Sequence, residues 1–219
     1  MASWSGQKWA GAAGLLFVVI LVVSSFIVPP PPSADDSPAK FLDYLSDHRT
    51  LLLVQAIMGV IADIPGILFA AGLWNLLKRD EPEGDVFGTA AVLAFVALGA
   101  VVTICLAWTG GLAYLADGNG LDENSARTLS NLSAILALGI FSFMTASNAF
   151  SARRLLQSTA TPRWVGWMGC AAAVLAAFGM FAVAKSGLFA PFGIGQFVPF
   201  LFFVAYVAVI SVFMWRRAP

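Results

Sequence analysis

Hydrophobic residues run along this chain in long unbroken blocks, and polar residues gather between them. Six blocks stand out, at 9–28, 51–76, 87–115, 129–150, 164–184 and 197–215. A helix needs about 20 apolar residues to cross a hydrocarbon layer about 30 Å thick. Barrel strands would be about half as long and would alternate. The pattern therefore predicts an all-α chain, a polytopic transmembrane helical bundle of six spans forming a single transmembrane domain over 1–219.

Composition strengthens that picture. The chain is 59% hydrophobic and 11% charged, with a mean hydropathy of +0.85. A soluble domain is about a quarter charged, so lipid is the expected solvent for most of this surface. A net charge of zero provides no basic excess to neutralise phosphates, which argues against a nucleic-acid partner. Membrane lipids are the expected partners, with a membrane-protein partner or a second copy as further candidates. One histidine and two cysteines exclude a histidine-rich metal site, and no cofactor is expected. Cys105 and Cys170 fall at depths that differ by about 15–20 Å at 1.5 Å per residue, which is too far for a disulfide.

Charge between the blocks sets the orientation. Lys8, Lys78, Arg79, Arg153, Arg154, Arg163, Arg216 and Arg217 flank one side, and Lys40, Arg49, Arg127 and Lys185 the other. The richer side is cytoplasmic by the positive-inside rule, which puts both termini inside. Trp4, Trp9, Trp74, Trp164, Trp167 and Trp215 fall at that same boundary, as an aromatic belt does. The first block has Lys8 before it and Ser33-Ala34 after it, but it fills a whole span and reads as a retained helix rather than a cleaved signal.

The one sizeable outer loop is 29–50. Pro29 to Pro32 form a polyproline strut that ends the first span. Ser37-Pro38 reads as an N-cap with proline at the first helical position. Phe41, Leu42 and Leu45 would share one side of a short interfacial helix, with Asp43, Asp47 and His48 toward water. The stretch SGLFAPFGIGQFVP reads as an apolar connector leading to Pro199 in the first turn of the last span.

Helices associate in lipid where small residues allow close approach. Ala62, Gly66 and Ala70 form such a face on the second span, and Gly169, Ala173 and Ala177 on the fifth. The fourth span gathers Ser142, Thr145, Ser147 and Asn148 in its inner half. Back-bonding of the hydroxyls to the carbonyl four residues earlier competes there with a cavity lining.

One position breaks the apolar rule. Asp63 lies within LLLVQAIMGVIADIPGILFAAGLW, followed by Pro65 and Gly66. A carboxylate at mid-membrane costs about 2.5–3.5 kcal/mol on insertion scales. Pro65 frees the carbonyl of Ile61 and predicts a helix kink, and Gly66 lets a neighbour come close. Asp63 borders the small-residue face, so it is expected to point into the bundle. No basic residue lies in any span to pair with it, which points to a neutral acid. Thr103, Ser142 and Thr145 are its candidate hydrogen-bond partners and complete the candidate polar site.

The cytoplasmic stretch Arg153-Arg154-Leu155-Leu156 followed by Thr161-Pro162-Arg163-Trp164-Val165-Gly166-Trp167-Met168-Gly169 resembles the segment between spans four and five in a bacterial six-helix membrane-protein group known as a domain of unknown function. The resemblance implies six helices, bacterial origin and a multi-pass protein of the cytoplasmic (inner) membrane. It implies no activity and no catalytic residue.

No His-Glu-x-x-His, Gly-x-Ser-x-Gly or phosphate-cradling Gly-Lys-Ser/Thr pattern occurs, so the chain reads as a non-enzyme. Two functional classes follow. One is an integral membrane protein with a scaffold, accessory or sensor role. The other is a small transporter or channel-like protein that uses Asp63 for a proton, ion or ligand. A cavity reaching Asp63 would favour the second, and an acid sealed by small residues the first.

Overall fold

A computed structural model describes residues 6–79, 84–117, 120–159, 161–181 and 193–217. These form seven helices: α1 Gly6–Ile27, α2 Pro38–Asp47, α3 Arg49–Lys78, α4 Phe87–Ala116, α5 Glu123–Gln157, α6 Arg163–Gly179 and α7 Ile194–Arg217. The chain is all-α as its pattern predicts, with no strand among the described residues. Five helices are long and apolar enough to cross a membrane, namely α1, α3, α4, α5 and α7. Helix α6 has 17 residues and spans about 25 Å. The expected fifth span reaches residue 184, and its last residues lie outside the described ones, as do residues 186–192 of the apolar connector and residues 80–83.

Several boundaries differ from the sequence reading. Helix α5 runs 35 residues because polar turns at both ends extend the apolar block. Asp122 caps its start, its Oδ1 accepting from the Asn124 and Ser125 amides at 3.0 Å each. Helix α7 starts at Ile194, so Pro199 lies inside the helix and not in its first turn. Helix α3 continues through Pro65 from Arg49 to Lys78.

Each long helix packs chiefly on two others, in the cyclic order α1–α3–α4–α5–α6–α7 and back to α1. Interaxial distances of about 8–10 Å around six members leave an axial space as wide as one further helix. Side chains must fill it. In the half away from α2, Phe95 does so as a hub, with ring centroids 5.6 Å from Phe17, 5.2 Å from Phe69 and 6.3 Å from Phe203. These belong to the larger apolar core, with Leu98, Phe141, Met144 and Tyr206.

Close contacts in the ring use glycine. A β-carbon at Gly14 would collide with Ser211 and Phe69, one at Gly72 with Ala10, and one at Gly11 would lie 2.6 Å from the Ser211 carbonyl. Outward faces carry Ile57, Ile64, Ile67, Leu93, Ile104 and Val174 exposed, as lipid-facing surfaces do. Trp9, Trp74, Trp164, Trp167 and Trp215 are also exposed. All five sit at the end of the ring opposite α2, where α1 and α6 start and α3 and α7 finish.

Helix α2 lies at the other end, packing on α5, α4 and α3. Ser37 and Pro38 take the cap and first helical positions, but the Ser37 side chain makes no cap hydrogen bond. Phe41 and Leu45 are buried with Leu52, Leu112, Leu121 and Ala126 in a second, separate core. The apolar side of α2 therefore faces protein and not the lipid surface expected for an interfacial helix. Tyr44 donates to the Pro29 carbonyl at 2.9 Å, and burial pushes its phenol up to about 12, so it remains a donor at neutral pH. Arg127 donates to the Ala34 carbonyl at 3.0 Å, which ties the proline strut to α5.

Candidate functional site

Between the two cores the ring is hollow. A cavity of about 570 Å³ extends from Pro29–Pro32 and Tyr44 at the α2 end down to Phe17, Phe95 and Phe203. Its wall is largely aliphatic and aromatic, interrupted by Ser24, Gln55, Asp63, Thr109, Ser133 and Gln196. Gln55 donates to the Ser24 carbonyl at 2.7 Å, which holds the last turn of α1 against α3. The volume and the sparse polar groups are those of a small-molecule site.

Asp63 is half-buried and lines this cavity. It lies six residues before Phe69 on α3, about 9 Å nearer the α2 end than the aromatic floor. Thr103 Oγ1 donates to Asp63 Oδ2 at 2.7 Å. A β-carbon at Gly99 would stand 3.2 Å from Asp63 Oδ1. Gly99 and Thr103 are one turn apart on α4 and therefore share a face. That face comes close because small residues allow it along the whole seam: a β-carbon at Gly59 would lie 2.5 Å from Leu106, and one at Gly110 2.9 Å from Ala56.

Of the residues singled out from sequence, the structure brings Asp63 and Thr103 together and leaves Ser142 and Thr145 apart. Ser142 is exposed, and its Oγ donates to the Leu138 carbonyl at 3.3 Å and lies 3.2 Å from Met180 Sδ. Thr145 donates to the Phe141 carbonyl at 2.7 Å. The reason is azimuth rather than depth. Successive residues turn by about 100° on a helix. Phe141 and Met144 face the cavity, so Ser142 and Thr145 form the adjacent stripe, turned away from α3. Pro65 and Gly66 are both buried, and a β-carbon at Gly66 would lie 3.2 Å from Phe17. Gly66 thus admits the ring that helps form the cavity floor.

Sequence reasoning missed Gly99, whose spacing from Thr103 was a readable signal. It also missed the far-end pin. Arg154, placed among the charges that flank the spans, is buried. It pairs with Asp85 at 3.2 Å and donates to the Leu77 carbonyl at 3.2 Å and to Gln157 at 3.0 Å. Nothing in its local sequence separates it from Arg153, which lies over the Phe87 ring at 3.9 Å. Beyond the aromatic floor, Ser151 and Tyr206 share a hydrogen bond of 3.0 Å. Cys105 and Cys170 are both free.

A closed helical ring with an apolar exterior and a half-buried acid in its hollow defines a multi-pass membrane protein. Comparison with known families makes that specific: the chain belongs to the family described as Domain of unknown function (DUF4386), whose model matches residues 10–215. No curated protein matches the chain, and no solved structure does.

Proposed function

We propose that this protein is a non-catalytic ligand-binding membrane protein of carrier type, with Asp63 as the polar anchor of its cavity. In this reading the chain crosses the bacterial cytoplasmic membrane six times, with both termini inside and the α2 end outside. The observation that carries the proposal is the cavity of about 570 Å³ that reaches Asp63. Unfilled interior space forfeits packing in proportion to its volume. A bundle serving only as a scaffold or accessory subunit has no reason to retain it. The Thr103 hydroxyl and the absence of a side chain at Gly99 arrange the acid toward that space. The tryptophans and basic residues at the end opposite α2 support the orientation.

The test is occupancy. The purified chain in lipid nanodiscs, analysed by native mass spectrometry, should carry a bound small molecule or lipid. Leu98→Trp fills the cavity from its wall and should lose that species while keeping the fold. A clean apo mass for the wild type, or unchanged occupancy in the variant, would refute the reading.

A further inference from the structure

We infer that the cavity selects a lipophilic monocation, an apolar body carrying one ammonium- or phosphonium-type charge. This deepens the ligand-binding reading above and rests on it. Asp63 is the one ionisable carboxylate, and the one charged side chain, on the cavity wall among the described residues. No Lys or Arg on the described wall balances it. Thr103 satisfies one carboxylate oxygen, Oδ2, at 2.7 Å. No described residue donates to the other, Oδ1, which stands beside Gly99 where a β-carbon would come within 3.2 Å. A carboxylate in an apolar chamber is costly without a counter-charge, and a cation placed against it supplies one.

The rest of the wall matches the rest of such a ligand. Phe17, Phe95, Phe141, Phe200 and Phe203 line the cavity, and aromatic faces attract cations as well as apolar groups. An anionic amphiphile finds no positive partner on the described wall. A neutral one leaves the acid without a counter-charge. Charge complementarity at one point and aromatic walls elsewhere therefore favour the cation.

The test uses the full chain in detergent with two probes of similar bulk, tetraphenylphosphonium and the uncharged triphenylphosphine oxide. The expected result is saturable binding of the phosphonium, about tenfold or more weaker in Asp63→Asn. The oxide should bind weakly and equally to both proteins. Should Asp63→Asn fail to fold, reaction of wild-type Asp63 with dicyclohexylcarbodiimide replaces it: the phosphonium should protect Asp63 and the oxide should not. Equal binding of both probes to wild type and variant, or equal protection by both, overturns the cation inference and leaves the ligand-binding reading standing. Failure of both probes to bind or protect, with Leu98→Trp indistinguishable from wild type, overturns the two together.

Discussion

Thr103 donates its hydroxyl hydrogen to Asp63 across the α3–α4 seam at 2.7 Å, one helical turn from the glycine that leaves the other carboxylate oxygen uncovered. The bond holds two spans together and also aims the acid. Thr103→Val keeps the shape and removes the donor. Hydrogen bonds of this kind contribute about 1 kcal/mol net, and in membranes commonly less. The variant should lose about that much in a denaturant titration and bind ligand more weakly because the acid is no longer aimed, whereas Asp63→Asn should keep the Thr103 bond and weaken binding about tenfold or more.

Arg154 is expected to behave differently. Its side chain is 1% exposed and that of Asp85 11%, so removing one partner strands a buried charge. Arg154→Leu should cost about 3–5 kcal/mol. The double variant Arg154→Leu/Asp85→Leu should cost less than the two single changes summed, which a double-mutant cycle measures.

The packing of α1 into α3 and α7 makes a steric prediction. Gly14→Val places atoms where Ser211 and Phe69 already stand, and overpacking of this kind costs about 1–3 kcal/mol. Gly111 has nothing within 4 Å of its would-be β-carbon. Gly111→Val should stay within about 0.5 kcal/mol of wild type in the same unfolding assay.

The start of α5 carries a pH signature. The Ser125 hydroxyl donates to Asp122 at 2.5 Å. With that bond first, and then the Ser125 and Asn124 amides, the Asp122 carboxyl is held below its ordinary value. A folded-state value lowered below the unfolded one gives stability that is fully present above about pH 4 and fades as pH falls through the folded value. Asp122→Ala should therefore lower the melting temperature at pH 7, and its deficit against wild type should shrink under more acidic conditions. A deficit that grew with acid would contradict the cap.

The long helices were legible because block length against bilayer thickness leaves few alternatives, and the boundaries slipped where polar turns continue a helix. The candidate site was legible in part. Asp63 announces itself by cost alone, since little else explains an acid in that run. Thr103 was one candidate partner among three. Choosing it requires the azimuth of α5 relative to α3, and that follows from ring order rather than from depth. The cavity itself was not legible. It arises because six helices in a ring leave an axial space, and Phe17, Phe69, Phe95 and Phe203 fill only one half of it. Those phenylalanines stand far apart in sequence and look like any other apolar residue in their spans.

The most direct measurement of the central claim is chemical access to the acid's position. In a background with Cys105 and Cys170 replaced by alanine, Asp63→Cys, Ser133→Cys and Thr145→Cys can each be exposed to a membrane-impermeant methanethiosulfonate on intact cells. The cysteines at 63 and 133 should react from outside, and at least about tenfold faster than the one at 145. A cysteine at 63 that reacts no faster than the one at 145, or only from the cytoplasmic side, would contradict the claim.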